Sequence, residues 1–293
     1  MGKIQIMTDS ASDISIEDEK KYSIPIIPFL ITFGEKSYRS RIEISNSQFF
    51  ELMQSYDGIP TTSQVTPFEF VEIYREQAQA GVTDLILVLI NSLGSSTYSN
   101  SVQAIDLFYE EHPEYKGLFR VHSIDGMGYN AQYGVPVIEA VKMRDKGATA
   151  EEIVKYLTDI LPKRQIFFGI YELKYAARSG RIPTAAAFLG SMLDLKPVMR
   201  IYGREITTAA KCRGEKNLLK SIVELTVNEI EPGTPYELIY ANDKSCLEEL
   251  RCMLVPRLGY EPSAIYQTGA AVGANAGPKI AGVSFIKKIL PST

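Results

Sequence analysis

Two clusters of neutral hydroxyls stand out among the residues that could meet a ligand. They are Thr61-Thr62-Ser63-Gln64-Val65-Thr66-Pro67 and Asn91-Ser92-Leu93-Gly94-Ser95-Ser96-Thr97-Tyr98. Each occupies a loop position next to an apolar or helical segment, and neither has a catalytic His, a Cys or a Walker lysine beside it. A hydroxyl becomes a nucleophile when an adjacent base takes its proton. Without that base it donates and accepts hydrogen bonds. These clusters are suited to holding a polar head group rather than attacking it.

The remaining candidates for chemistry are carboxylates, two histidines and a few cations. Asp9-Ser10-Ala11-Ser12-Asp13 follows the first strand-like run, at a carboxyl end where open α/β sheets place ligands. A phosphatase would need Asp-x-Asp, and Ala11 takes the place of the acid. Asp9, Asp13 and Asp125, the last also just past a strand, could together serve a magnesium-dependent hydrolase or transferase. The competing reading is a turn in which Asp9 and Ser12 cap the next helix. His112 and His122 show no triad arrangement, and Gly94-Ser95-Ser96 is not a nucleophile elbow. Residues 269–278 are rich in glycine but lack the lysine and hydroxyl of a phosphate loop. Their small residues either pack tightly near the last strand or form a backbone wall that a head group can approach. Around Gly180, Arg178 and Arg181 could reach an anion. Alternatively, the segment is a helix C-terminus with Gly180 as its left-handed stop. Lys196, Arg200, Arg204, Lys211, Arg213 and Lys216 make a basic stretch that is either a docking face or an ordinary solvated surface.

Composition narrows the class. The chain has 293 residues, 45% hydrophobic and 23% charged, which suits a globular protein with a sizeable core. A net charge of -4 argues against nucleic-acid binding. The longest apolar run, residues 24–33, is too short and too broken by proline to span a bilayer. The first residues enter a strand-like run without a signal-peptide pattern. Cys212, Cys246 and Cys252 match no zinc or redox motif and fit a reducing cytoplasm.

The elements that must position these residues alternate between strand and helix, which predicts an α/β fold. Residues 4–8, 85–90 and 119–124 read as strands of a mainly parallel sheet. Thr66, Pro67 and Glu69 open a helix that Gly81 ends. Helices are also expected over 97–111, 128–146 and, from the Thr149 capping box, up to 161. Pro162-Lys163-Arg164 marks a boundary between domains 1–162 and 163–293. The second domain is expected to hold strands at 165–171, 197–202, 236–240, 264–267 and 282–286, and helices at 184–193, 215–229 and 244–256.

Several of these segments together resemble the DegV family, bacterial fatty-acid-binding proteins that serve fatty-acid kinase. The matching segments are Thr8-Asp9-Ser10-Ala11-Ser12-Asp13, Thr62-Ser63-Gln64 with Pro67, Ser95-Ser96-Thr97-Tyr98, Ser179-Gly180-Arg181-Ile182, residues 189–197, and Gly273-Ala274-Asn275-Ala276-Gly277-Pro278. They run in the order the family has them. The resemblance implies two α/β domains, with a long-chain fatty acid buried in the first and its carboxyl near the junction, where the second, smaller domain with a mixed sheet closes over it. It implies no catalysis by the chain alone, no metal and no cofactor. A separate ATP-dependent kinase subunit would convert the bound carboxyl to an acyl phosphate in the cytoplasm, with membrane contact limited to transient approach to the surface. By the family pattern Thr62 and Ser95 hold the carboxyl oxygens, with Ser63 and Ser96 beside them, and Arg181 and Asn275 complete the polar network. This chain departs from the pattern at three positions: Asn275 replaces a His, Lys279 a Gly, and Ser179 a Gly. A sixteen-carbon chain buries about fourteen methylenes, worth on the order of 11 kcal/mol before ordering costs. The carboxyl therefore needs only to be satisfied, not clamped.

Overall fold

A computed structural model describes residues 2–182 and 194–289. The helix expected at 184–193 and most of the matching segment 189–197 lie outside the described residues. Burial of alternating side chains builds the first sheet. Strand β1 (Ile4–Asp9) lies between β2 (Ile26–Ile27) and the fully buried β6 (Asp84–Leu89), with β7 (Arg120–Asp125) outermost, all parallel. Leu85, Leu87 and Leu89 point to one face with Met7; Ile86, Val88 and Ile90 join Ile6 on the other. A strand covered on both faces has to be apolar throughout, which is why 85–90 reads as one continuous run.

Helices α3 (Pro67–Gln79) and α4 (Thr97–Glu111) cover the first face with Phe70, Tyr74 and Phe108. Helices α5 (Ala131–Asp145) and α6 (Ala150–Ile160) cover the second with Val137, Ile153 and Leu157. Both predicted capping boxes are formed: Thr66 with Glu69 and Thr149 with Glu152 each exchange side-chain and backbone hydrogen bonds. Helix α1 (Ile16–Tyr22) is capped by Ser15.

The strands after residue 163 form a separate mixed sheet. These are β8 (Arg164–Ile170), β9 (Leu195–Tyr202), β10 (Glu205–Arg213), β11 (Tyr236–Tyr240), β12 (Ala264–Gln267) and β13 (Ile280–Ile286), in the order β10-β9-β8-β13-β11-β12. Helices α8 (Glu215–Glu229) and α9 (Ser245–Leu258) bury one face over Phe167, Val283 and Phe285. The α7 helix (Leu173–Ser179) ends at Gly180, whose φ of 70° is the left-handed stop expected there. Cys246 and Cys252 both lie on α9. The other sheet face, carrying Ile166, Phe168, Ile201, Ile239 and Ile280, turns toward the N-terminal half and shares its core. Deep in that sheet, Arg164 is paired with Glu237 and Ser284. Among the described residues, no helix is long and apolar enough to cross a membrane.

Three pieces were not foreseen. One is a small antiparallel sheet of β3 (Leu30–Phe33), β4 (Lys36–Arg39) and β5 (Thr61–Ser63), with helix α2 (Asn46–Ser55) beside it. Its strands are short, and β5 carries no apolar residue at all. Another is β10, within the stretch read as a basic docking face. It is an edge strand, and edge strands carry charges that discourage further pairing. The segment is a hairpin whose cations are partly spent inside the fold: Arg200 on Glu229, Lys196 on the Tyr171 carbonyl. The last is helix α10 (Ala270–Ala276), hidden in the glycine-rich stretch.

Candidate functional site

A cavity of about 340 Å³ lies between the two halves. Its apolar wall is mostly the inner face of the second sheet: Ile166, Phe168, Ile201, Ile239 and Ile280, joined by Ile206 of β10. The N-terminal half adds Phe29 and Ile90. The sequence reading puts a ligand chamber inside the first domain; this cavity is lined from both halves. Helices cover both faces of that domain's parallel sheet, and among the described residues the second sheet supplies most of the apolar lining.

Helix α10 turns one face of the glycine-rich stretch to the cavity and packs the other. Ala271, Val272, Asn275 and Ala276, spaced at one helical face, line the cavity. On the opposite face a Cβ at Gly273 would press on Phe49 and Phe50, so that side is close packing.

The polar end of the cavity is where it meets a second opening, with Thr62, Ser179, Arg181 and Asn275 lining both. Thr62 and Ser63 reach it from β5, where Thr62 sits opposite Ile31 and Ser63 opposite Leu30. Ser95 reaches it from the loop before α4, Arg181 from the residues after α7, and Asn275 from α10. The two hydroxyl clusters are wired together through Thr97: Ser95 Oγ lies 2.9 Å from Thr97 Oγ1, which accepts the Val65 N–H at 3.3 Å. Asn100 donates to the Val65 carbonyl at 2.8 Å. The α4 N-terminus thus fixes the strand end that carries Thr62 and Ser63. Asn275 spends one amide hydrogen on the Ala271 carbonyl at 2.9 Å. Arg181 folds its guanidinium back to the Ser179 carbonyl at 2.6 Å. Ser96 does not belong to this group. It is exposed at the start of α4, outside the cavity lining, because the turn aims Ser95 inward and its neighbour outward. The second opening leads outward past residues 56–61.

The carboxylates at the strand ends are committed elsewhere. Asp9 is fully buried; it accepts from Tyr133 at 2.6 Å and from the N–H groups of Ala11 and Ile90. Asp13 accepts from Gly269 N–H at 2.8 Å and Asn130 Nδ2 at 2.7 Å. Asp125 is held by Ser92, the Met127 N–H and Arg204. Each of their oxygens accepts from at least one protein donor, and among the described residues no group of three or more acidic, His or Cys side chains is placed to hold a metal. The magnesium reading of Asp9, Asp13 and Asp125 therefore gives way to structural clamps, with Asp9 capping the single 3-10 turn Ser10–Ser12. Burial raises the Asp9 carboxyl to about 6 and the Asp13 carboxyl to about 7, against the donors that pull the other way.

Sequence reasoning missed the hairpin of β9 and β10. Its tip, Gly203-Arg204, has positive φ at both residues (58° and 76°), the signature of a tight two-residue turn. From there Arg204 Nε reaches Asp125 at 2.8 Å, and its carbonyl accepts from Asn91 at 2.7 Å, so the tip is latched across the cavity to the first sheet. Ile201 and Ile206 face each other across the turn, a pairing that only the hairpin itself reveals. An Arg204→Ala variant is expected to lose less than ~1 kcal/mol of global stability, since the arginine is half exposed, yet to exchange the Ile206 amide several-fold faster. Unchanged amide exchange would show that the latch does not hold the hairpin.

Comparison with known proteins places the chain in a lineage. The model of the family described as uncharacterised proteins of the DegV family matches residues 3–288. The chain belongs to the DegV family. A DegV domain-containing protein of Caldanaerobacter subterraneus is 30% identical over 98% of this chain and its own full length. Among solved structures, a stearic acid-binding protein of Eubacterium ventriosum superposes with a TM-score of 0.87 at 22% identity, covering 97% of this chain and 98% of its own. A fatty-acid-binding DegV family protein of Thermus thermophilus gives 0.82 at 24%, covering 98% and 100%. A DegV family protein of Eubacterium eligens loaded with heptadecanoic acid gives 0.81 at 19%, covering 97% and 100%. These likenesses establish the DegV fold.

Proposed function

We propose that this chain binds a long-chain fatty acid in the cavity between its halves and presents the carboxyl to a separate ATP-dependent kinase. The observation that carries the reading is the polarity of the cavity: isoleucine and phenylalanine along its walls, hydroxyls and an arginine at one end. Fatty acids named for its structural neighbours have that same polarity. Thr62, Ser63, Ser95, Arg181 and Asn275 surround the carboxyl in this reading. Among the described residues none there serves as a base for a nucleophile, and in this reading the chain acts as a carrier without catalysis of its own. The outward opening past residues 56–61 is the route by which a kinase reaches the head group.

Neutral donors suit the chemistry. A carboxylate oxygen must attack the γ-phosphorus of ATP, forming the acyl O–P bond as the bond to ADP breaks. Hydroxyls hold the carboxylate while leaving its charge largely on oxygen, whereas a tight cationic clamp withdraws it. The reading places the protein in the cytoplasm beside the kinase, with no nucleic-acid partner and only passing contact with membrane surfaces during lipid exchange.

Thr62→Ala tests the head-group assignment. A hydrogen bond to a charged group is worth about 1.5 kcal/mol or more, so palmitate affinity should fall ~10-fold. Acyl-phosphate formation by the kinase should drop further, because the carboxyl loses its aim. A variant that binds and is phosphorylated like the parent would remove Thr62 from the site.

A further inference from the structure

Tyr129 lies in the loop between β7 and α5, and its ring lines the cavity. The loop backbone is tightly specified. Met127 and Asn130 both take positive φ (55° and 54°), the Met127 N–H is tied to Asp125, and the Asn130 N–H donates to the Ala11 carbonyl at 2.8 Å. The ring is therefore placed, not free to swing out to water. Its hydroxyl oxygen is sealed from solvent and has no hydrogen-bond partner. Such groups are rare in folded proteins, and each is costly when left unmet.

Two neighbours locate that hydroxyl. A Cβ at Gly94 would overlap it, so the phenol tip rests where this chain lacks a side chain, one residue from Ser95. The Arg181 charge also acts on it, and it opposes the burial that raises the phenol to about 12. The orphan hydroxyl thus stands at the polar end, between the loop that carries Ser95 and the arginine.

Resting on the fatty-acid reading, we propose that Tyr129 is a head-group donor: the entering ligand displaces the contacts that seal its hydroxyl, which then hydrogen-bonds a carboxyl oxygen. Gly94 is its positioning residue, keeping open the space the hydroxyl occupies. A neutral phenol kept protonated by burial donates at every physiological pH, and its bond to the ligand satisfies a group that the empty protein leaves unmet.

Tyr129→Phe removes one oxygen and nothing else. In delipidated protein the variant should melt at the parent temperature or above, since an unmet buried hydroxyl is gone. Its palmitate Kd should rise about 10-fold, equivalent to 1.4 kcal/mol. Gly94→Ala, which pushes the hydroxyl aside, should weaken binding to a similar degree, and the double variant should lose no more than the worse single one. Parent-like palmitate affinity in Tyr129→Phe would overturn the proposal while leaving the fatty-acid reading intact. So would a loss of affinity matched by destabilisation of the empty protein, which marks a packing role. If the parent itself does not bind palmitate, the fatty-acid reading fails first and the Tyr129 role with it.

Discussion

An Ala271→Phe variant is expected to lose palmitate binding by ~100-fold or more while the delipidated protein stays as stable as the parent. Ala271 is buried on the cavity face of α10, with the second sheet across the gap. A phenyl ring there takes space that several methylenes of an acyl chain would fill. Excluding about four methylenes at about 0.8 kcal/mol each costs ~3 kcal/mol, or ~100-fold. The stability arm runs the other way. Filling an apolar cavity restores contacts that its lining lacks, so the empty variant should melt no lower than the empty parent. Isothermal titration and thermal melts of the two delipidated proteins give both numbers. Parent-like affinity would mean that the acyl chain lies somewhere other than against α10. A collapse in melting temperature would mean that the space is not available to a ligand.

The second large effect is a pH dependence of stability traceable to Asp13. This carboxyl joins the halves, accepting from Asn130 on one side and from the Gly269 N–H on the other. Its value in the folded protein is raised to about 7, against 3.8 ordinarily, by burial first and by the neighbouring Asp9 charge last; Asn130, Gly269 and Arg41 oppose the rise. Asp9, at about 6, shifts the same way. Because the folded state holds these protons more tightly than the unfolded chain, their contribution is fully present below the unfolded value. It is lost as pH rises through the folded value. Between about pH 5 and pH 7 Asp13 alone should cost about 2 kcal/mol of stability. Asp13→Asn abolishes that slope. It should be less stable than the parent at about pH 5, since the amide turns a donor toward Gly269 or Asn130, and should close the gap by about pH 8. Urea denaturation of both proteins at the two pH values measures the slope. Parallel pH profiles would show that Asp13 does not titrate in this window.

Buried runs and caps were legible in the sequence because each has a local cause. The 85–90 run has to be apolar on both faces, and the Thr66 and Thr149 boxes announce their helices by chemistry confined to four residues. The hydroxyls of Thr62, Ser63 and Ser95 were legible in the sequence as groups without a base, and the fold brings all three to the lining of one cavity. What was hidden depends on pairing across long separations. Strand β5 exists because Thr62 pairs with Ile31, and β10 because it continues a hairpin, so neither carries a pattern of its own. Ser96 and Ser95 are indistinguishable until the turn before α4 sends one outward. Asp9 and Asp13 look like metal ligands until the chain delivers Tyr133, Asn130 and Gly269 to their oxygens. Tyr129 gave no signal because an orphan hydroxyl is defined by what surrounds it, not by its neighbours in sequence.

The central claim is tested most directly by what the purified protein carries. Denaturing solvent extraction followed by mass spectrometry should release a long-chain fatty acid in stoichiometric amount from the parent, and little or none from Ala271→Phe prepared in the same way. An extract free of fatty acid, from a parent that also gains no stability when palmitate is added after refolding, would contradict the account.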